Sequence, residues 1–337
     1  MKAAFVKREG KVKISEVFLP DVGDNEILIR INACGVCGSD FIEASHWAKE
    51  WKQFGHELSG TIHAIGGNNT GFKEGDRVVL ALSIPCEECS ACRKGLPRHC
   101  SQMVIANQGG FAEYLLVKDR RSLKTVPPSV PSNIACLAEP LTVILDAFDL
   151  VRLKKNDIFW VAGGGFIGML AILTSHLMGI PVAGVLSRRS SDNLQKVLEY
   201  TGGECIKWGG LGTASTLKST LSARNGRTVI LHTAPPYTIA SYVDKLPYDS
   251  SVVNIGLSGK KKENKLSLDI SKAVFNRTQI LNVFPVPCLF LDEAVSLLEN
   301  HTKIFSMLDT YKISLDDIPH IIASRSKNGK AIVTIGE

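Results

Sequence analysis

The sequence has little that would direct it to a membrane or to nucleic acid. No apolar run reaches the roughly 18 residues that a membrane-spanning helix requires, and residues 1–6 lack the apolar segment of a secretory signal. The formal net charge is only +6, and the clearest basic run, the three lysines at 260–262, is typical of a solvated loop. We therefore expect a cytoplasmic protein that has neither a membrane nor nucleic acid as its partner.

Internal repeats and low-complexity segments are also absent from the sequence. A hydrophobic content of 45% and a charged content of 21% are ordinary for a globular protein, and 337 residues are enough for two domains. There are nine cysteines. Because a secretory signal is missing and several cysteines are spaced Cys-x-x-Cys, they indicate metal binding rather than disulfide bonds.

Residues 34–57 combine thiols, an imidazole and carboxylates in one short stretch. It begins Cys-Gly-Val-Cys-Gly-Ser-Asp and ends Gly-His-Glu. Zinc accepts sulfur and nitrogen ligands, and a catalytic zinc has three protein ligands and an open position. We predict that Cys37, His56 and the distant Glu139 are these ligands and that Asp40 orients His56. The alternative is a packed thiol and a core histidine without a metal.

A second cysteine group is spaced C-x2-C-x2-C-x7-C and consists of Cys86, Cys89, Cys92 and Cys100. Two-residue gaps allow successive thiolates to turn onto one ion, and four thiolates close a tetrahedron. The spacing therefore predicts a structural zinc. An iron–sulfur cluster and a nucleic-acid-binding zinc knuckle use similar cysteines and are the alternatives.

A dinucleotide-binding unit is predicted over residues 157–187. A strand at 157–162 leads into Gly163, Gly165 and Gly168, which fit G-x-G-x-x-G at the start of an apolar helix. Phe166 and Ile167 begin this helix, whose N-terminus faces the pyrophosphate in such units. A second strand follows at 181–186.

The end of that second strand lacks the acid that NAD-binding chains usually place there. The sequence offers Ser187, Arg188 and Arg189 instead, and no carboxylate occurs before Asp192. Guanidinium groups bind phosphate in a bidentate manner, so this segment predicts a preference for NADP over NAD. The alternative is that both arginines face solvent.

Together these motifs resemble the zinc-dependent medium-chain alcohol dehydrogenases. The resemblance rests on Cys-Gly-Ser-Asp at 37–40, Gly-His-Glu at 55–57 and Gly-Gly-Phe-Ala-Glu-Tyr at 109–114. It selects Cys37 over Cys34 as the ligand. Glu-Pro-Leu at 139–141 is similar to the polyol (sorbitol) dehydrogenase branch, in which this glutamate is the third ligand. A helix cap is the alternative role of Glu139, and Cys136 is a rival ligand.

The resemblance implies an α/β fold of two domains. Residues 1–146 and 286–337 would form a GroES-like β-barrel catalytic domain, and alternating apolar runs at 12–14 and 26–31 agree with short strands. Residues 147–285 would form a doubly wound parallel-sheet (Rossmann) domain. It further implies two zinc ions per subunit, NADP as the cofactor, and a homodimer or homotetramer.

The function implied is hydride transfer between NADP(H) and a secondary alcohol or ketone of a polyol, sugar or (amino)cyclitol. Ser39 would pass the hydroxyl proton outward, and Glu57 would neighbour the zinc or bind it transiently. Lys330, which follows Gly329, could approach a cofactor phosphate, and an exposed turn lysine is the alternative. The sequence departs from the family at Ile42, where many relatives have a relay histidine that His46 could replace. The alternatives are a zinc-independent quinone or enoyl reductase of the same superfamily and a non-catalytic cofactor-binding protein.

Overall fold

The computed structural model describes residues 1–67, 71–105, 108–188, 190–208, 226–284, 286–324 and 329–335. The chain divides into two compact units. The first comprises Met1–Val143, Pro285–Ser306 and Thr310–Glu337, and the second comprises Ile144–Phe284 and Met307–Asp309. The boundaries that the sequence predicts at 146 and 286 lie at 143 and 285 in this division.

The first unit is built mainly from β-strands. Ile27, Ile29 and Ile31 share one face of their strand, because strand side chains alternate in direction, and all three are fully buried. In hydrogen-bonding order the main sheet contains Leu123–Thr125, Arg77–Leu80, Glu57–Ile65, Ile27–Gly35, Lys330–Thr334 and Thr310–Ile313, with Tyr114–Val117 also paired to Ile27–Gly35. Smaller sheets contain Lys11–Glu16, Lys2–Lys7 and Lys52–Gln53, and Ser83–Ile84 with Val104–Ile105.

The helical segments of the first unit are mostly short. They are Gly38–Ile42, the π-helical turn Glu43–Trp47, Ser90–Arg93, Ser132–Ala135, Leu291–Asn300, Thr302–Phe305, Ile318–Ser324 and the 3-10 turns Pro97–His99, Arg120–Ser122, Pro287–Leu289 and Leu315–Asp317. The longer helix Ala138–Leu150 continues into the second unit.

The second unit contains a parallel sheet, as the βαβ pattern predicts. Its strands run in the order Glu204–Lys207, Val182–Ser187, Ile158–Ala162, Thr228–His232, Ser251–Asn254 and Gln279–Asn282. Numbered along the chain, the strands lie in the order 3-2-1-4-5-6 of a doubly wound fold. The strand order reverses at strand 1, Ile158–Ala162, while all the strands stay parallel. Every residue of that strand, Ile158–Ala162, is buried, which is typical of the centre of a parallel sheet.

In the described residues, helices and 3-10 turns connect these strands. They are Phe166–Leu177, Asp192–Thr201, Ile270–Phe275 and the 3-10 turns Pro236–Ser241, Val243–Lys245 and Lys261–Asn264. Ser191 caps one of them by accepting a hydrogen bond from the Leu194 N–H at 3.2 Å. Asn193 donates to the Met307 carbonyl oxygen at 2.6 Å, which attaches that distant segment to this unit. Within the described residues, no helix combines the length and apolar character needed to cross a bilayer.

Candidate active site

The first candidate site lies at the start of the short helix Gly38–Ile42. Cys37 precedes this helix in an extended conformation, and its backbone N–H donates a hydrogen bond to Asp40 Oδ2 at 2.8 Å. This bond across the first helical turn fixes the Asp40 carboxylate. The other carboxylate oxygen of Asp40 lies 3.7 Å from His56 Nδ1. Asp40 therefore connects the predicted thiol ligand to the predicted imidazole ligand.

Three potential ligand atoms converge at this site. The sulfur of Cys37, a ring nitrogen of His56 and a carboxylate oxygen of Glu57 all lie within 4.8 Å of one another. His56 and Glu57 are buried, and Cys37 is half-buried. Because zinc binds sulfur, nitrogen and carboxylate oxygen, the chemistry of this donor set fits a zinc ion.

Glu139, the predicted third ligand, lies buried in the first turn of the helix Ala138–Leu150. In the part of the chain that the structure describes, Glu57 rather than Glu139 shares the 4.8 Å group with Cys37 and His56. Burial raises the pKa of the Glu139 carboxyl to about 7, while attraction to His56 acts in the opposite direction. Glu139 is therefore electrostatically coupled to the site, and its role as a ligand stays a prediction.

The electrostatics of the cluster favour a bound cation. Burial by itself lowers the pKa of His56, but attraction to Cys37, Asp40 and Glu139 raises that pKa well above its ordinary value. Burial raises the pKa of Asp40 to about 6 against the attraction of His56. Three carboxyl groups and a thiol thus share a buried space, and a divalent cation would balance their charge when they ionise.

Lys330 occupies a different environment from the one that its sequence context predicts. Its ammonium group forms an ion pair with Glu57, with side-chain exposures of only 4% and 1%, and donates a hydrogen bond to the Val36 carbonyl oxygen at 3.2 Å. The alternative of an exposed turn lysine is therefore wrong, and the contact of Lys330 with a cofactor phosphate stays a prediction. Its ammonium is paired with a buried carboxylate because an isolated charge at this depth would be costly.

Two proton-transfer candidates follow Cys37 along the chain. Ser39 is half-buried in the helix Gly38–Ile42, and its predicted role stays a prediction. His46 is exposed in the π-helical turn Glu43–Trp47. Ile42, at the position of the relay histidine of many relatives, is buried.

The second candidate site is the four-cysteine group of residues 86–100. The sulfurs of Cys86, Cys89, Cys92 and Cys100 lie within 4.8 Å of one another. Cys86 is 3.5 Å from the sulfur of Cys100 and 4.0 Å from that of Cys92. A zinc ion with Zn–S bonds of about 2.3 Å places its sulfurs about 3.8 Å apart, and the observed distances lie on either side of this value. The group fits a single tetrahedral ion better than a multi-iron cluster, whose cysteines bind different iron atoms.

Backbone N–H groups already point at these sulfurs. The N–H of Cys89 donates to Cys86 Sγ and the N–H of Cys86 donates to Cys100 Sγ, both at 3.3 Å. Hydrogen bonds from backbone N–H groups, that of Cys92 foremost, lower the pKa of Cys89 to about 5. Such donors stabilise thiolates, which are the form that binds metal.

The glycine-rich turn between the first strand and the first helix of the second unit fits a dinucleotide. Gly163 has φ +123°, and a Cβ on Gly168 would lie 1.9 Å from the Gly163 carbonyl oxygen. Neither position accepts a side chain. A Cβ on Gly165 would meet no atom within 4 Å, so the backbone there is open to a ligand. The helix N-terminus at Phe166 and Ile167 adds the positive end of the helix dipole, which suits a pyrophosphate.

The predicted 2′-phosphate segment ends the strand Val182–Ser187. Ser187 is buried against the glycine-rich turn, since a Cβ on Gly164 would lie 2.7 Å from Ser187 Oγ. Arg188 is exposed, and its Nη1 lies 3.5 Å from the hydroxyl of Tyr237. Arg189 lies outside the described residues.

Two polar residues that follow the strand Thr228–His232 were not predicted from the sequence. Thr233 Oγ1 donates to the Gly163 carbonyl oxygen at 3.2 Å, and Tyr237 contacts Arg188. Ligands of open parallel sheets bind beyond the carboxyl ends of the strands. That rule, applied to the segment His-Thr-Ala-Pro-Pro-Tyr at 232–237, could have identified both residues.

Comparison with known proteins agrees with this geometry. Residues 23–128 match the alcohol dehydrogenase GroES-like domain family. The chain is 33% identical to galactitol 1-phosphate 5-dehydrogenase of Escherichia coli (strain K12), over 53% of each protein. It is 26% identical to sorbitol dehydrogenase of Bacillus subtilis (strain 168), over 68% of this chain and 74% of that protein. The chain thus spans about half the length of the first of these relatives.

Solved structures extend the likeness over the whole chain. Galactitol-1-phosphate dehydrogenase from Escherichia coli superposes with a TM-score of 0.85 at 23% identity, covering 99% of this chain and 100% of that one. A protein of Sinorhizobium meliloti 1021, described as a zinc-binding dehydrogenase and solved with NADP, gives 0.83 at 22% identity, covering 99% of each. The predicted combination of a GroES-like domain and a Rossmann-like parallel sheet is confirmed.

Proposed function

We propose that this chain, a zinc-type medium-chain alcohol dehydrogenase of the polyol branch by its motifs, relatives and fold, transfers hydride between NADP(H) and a secondary alcohol or ketone of a polyol, sugar or cyclitol. The observation that carries the proposal is the convergence of Cys37, His56 and Glu57 within 4.8 Å in a buried, acid-rich cluster. Thiol, imidazole and carboxylate are the ligand types of zinc, and the ion pair with Lys330 compensates one carboxylate of the cluster.

When bound, zinc would supply Lewis-acid polarisation of the substrate oxygen, and a nicotinamide would supply the site that gives or accepts hydride. Cys37 and His56, with Glu139 or Glu57, would hold the zinc. Asp40 holds the orientation of His56 through its 3.7 Å contact with Nδ1. Ser39, one residue before Asp40, is the candidate for moving the substrate hydroxyl proton outward.

The nicotinamide cofactor is proposed to be NADP. Support comes from Arg188 at the end of the strand Val182–Ser187 and from the neutral Ser187, which would not repel a phosphate. Structurally similar proteins were solved with NADP in one case and with NADH in another, so the proposed preference for NADP rests on Ser187 and Arg188. The second zinc is proposed at Cys86, Cys89, Cys92 and Cys100, where it would stabilise the fold of residues 86–100 rather than take part in the reaction.

The substrate class is proposed from the relatives, which act on galactitol 1-phosphate and sorbitol according to their names. We further propose a cytoplasmic homodimer or homotetramer, as the family resemblance implies. Two groups of convergent metal-ligating side chains disfavour both alternatives, the zinc-independent quinone or enoyl reductase and the non-catalytic binding protein. Neither function requires two separate groups of convergent metal-ligating side chains.

The test combines metal analysis with a substrate screen. Purified protein is analysed for zinc, and then NADPH and NADH absorbance is followed with alcohols and ketones that include galactitol 1-phosphate and sorbitol. We expect two zinc ions per chain and turnover that is faster with NADP(H). Cys37→Ser should abolish turnover, whereas Cys205→Ser, at an exposed cysteine of the second unit, should leave it unchanged. Full activity in a chain without zinc would contradict the proposal.

A further inference from the structure

The segment that follows the strand Thr228–His232 is held in place by a buried histidine. His232 Nδ1 lies 2.9 Å from the hydroxyl of Tyr242, and its Nε2 lies 3.3 Å from the Pro235 carbonyl oxygen and 3.2 Å from Thr238 Oγ1. Because both ring nitrogens have partners on this segment, His232 fixes the entry and the exit of the 3-10 turn Pro236–Ser241.

A second anchor joins the same turn to the strand that ends in Ser187. The indole N–H of Trp208 donates to Ser241 Oγ at 2.9 Å, and the backbone N–H of Trp208 donates to the Ser187 carbonyl oxygen at 2.8 Å. The turn is therefore tied to the carboxyl ends of two strands. These ends form the edge where a parallel sheet binds its ligand.

Tyr237 lies on this doubly anchored turn and contacts Arg188. Its hydroxyl oxygen accepts a hydrogen bond from Arg188 Nη1 at 3.5 Å. A phenol that accepts from a guanidinium keeps its own hydrogen free to donate, and the guanidinium keeps further N–H groups. The pair thus presents donors of two kinds at the end of a strand that carries no acid, and the charged guanidinium favours a phosphate over a neutral ribose hydroxyl.

We propose that Tyr237 is a specificity-determining residue for the cofactor: it positions Arg188 and contributes its own hydroxyl donor to the 2′-phosphate of NADP. This inference rests on the proposed function, because it requires that the second unit binds a nicotinamide dinucleotide. The site predicted at Ser187, Arg188 and Arg189 thereby gains one more residue, which lies on the turn after the strand Thr228–His232.

The experiment measures binding of two nucleotides to the full chain and needs no turnover. Adenosine 2′,5′-bisphosphate and 5′-AMP, which differ only by the 2′-phosphate, are titrated calorimetrically into wild-type protein and into Tyr237→Phe. Loss of one hydrogen bond should weaken binding of the bisphosphate about three- to tenfold and leave binding of 5′-AMP unchanged. The same substitution in an Arg188→Ala background should have a much smaller effect, because the two side chains act together.

Tyr248→Phe is the matched control. Tyr248 is also exposed and its hydroxyl also accepts from an arginine, Arg277 Nη1, at 3.1 Å. The Tyr248→Phe substitution should change neither the affinity for the bisphosphate nor the affinity for 5′-AMP. Unchanged bisphosphate affinity in Tyr237→Phe, with a clear wild-type preference for the bisphosphate, would overturn this inference and leave NADP specificity intact. A wild-type protein that binds both nucleotides equally would overturn the NADP assignment and this inference together.

Discussion

Replacing Lys330 by methionine should strongly destabilise the first unit. The substitution keeps a side chain of similar length but removes the ammonium group that pairs with Glu57. Both side chains are almost completely buried, at 4% and 1% exposure, so solvent cannot replace the lost partner. Breaking a buried ion pair from one side costs roughly 3–5 kcal/mol, because the remaining charge is uncompensated. The double variant Lys330→Met/Glu57→Gln should recover much of that loss.

The assay is urea unfolding followed by circular dichroism, with thermal melts of the same samples. A loss of this size should lower Tm by roughly 6 to 20 °C, at about 2–4 °C per kcal/mol for a unit of this length. Lys124→Met is the matched control, since Lys124 pairs with Asp292 at 2.6 Å but their side chains are 39% and 79% exposed. An exposed pair of this kind should contribute less than about 1 kcal/mol.

The measurement is made with zinc bound and again after chelation, because a Glu57 released from Lys330 could gain a metal contact in the loaded protein. The chelated samples therefore isolate the ion pair. If Lys330→Met loses no more stability than Lys124→Met in both states, Glu57 and Lys330 do not form a compensated buried pair and the reasoning fails.

The other predictions concern zinc, the third ligand, the cofactor and pH. Cys89→Ala should lower Tm because structural zinc contributes to folding, whereas His56→Ala should abolish turnover with little change in Tm; an active His56→Ala would contradict the zinc assignment. Glu139→Ala should lose one zinc by metal analysis, and full retention with a small stability loss would identify a helix cap instead. Arg188→Ala should raise the Kd of NADPH about tenfold or more and barely change that of NADH in fluorescence titrations. Burial lowers the pKa of His232 from 6.5 to about 4, so the unfolded chain binds a proton first as pH falls. The contribution of His232 to stability should therefore decrease from pH 6.5 towards 4, by up to about 3 kcal/mol, and the difference in urea midpoint between the wild type and His232→Gln should follow this change.

Local sequence patterns predicted the parts of this molecule that short-range geometry determines. The spacing of Cys86, Cys89 and Cys92 places three thiols within two tight turns. The convergence of their sulfur atoms therefore follows from the local sequence. The glycines of the first βαβ unit are likewise required by a turn of six residues, in which Gly168 packs against the Gly163 carbonyl. In such patterns the spacing of the residues determines the local backbone geometry, and the fold class can be predicted from them.

Long-range pairing could not be predicted in the same way. Lys330 follows Gly329, a context that suggests an exposed turn, yet its partner Glu57 lies in a strand more than 250 residues earlier. Only the pairing of the strand Lys330–Thr334 with Ile27–Gly35 brings this lysine beside the strand Glu57–Ile65. Tyr237 and Arg188 are brought together by the order of parallel strands. Neither the Lys330–Glu57 pair nor the Tyr237–Arg188 contact corresponds to a periodic pattern in the sequence.

The arrangement of His56 and Glu57 shows why the choice between two carboxylate ligands also lay beyond the sequence. Adjacent residues of a regular strand point to opposite faces, so both could not be expected to reach Cys37. The strand begins only at Glu57, and Gly55 before it has φ +90°, with its backbone so close to Phe111 that a Cβ would lie 2.9 Å from the Phe111 nitrogen. Because of this turn, His56 does not follow the alternation of strand side chains, and the side chains of His56 and Glu57 both face the thiol of Cys37. Glu57 is therefore a second candidate, beside Glu139, for the carboxylate ligand of the proposed zinc, and the ion pair with Lys330 would hold Glu57 away from that role.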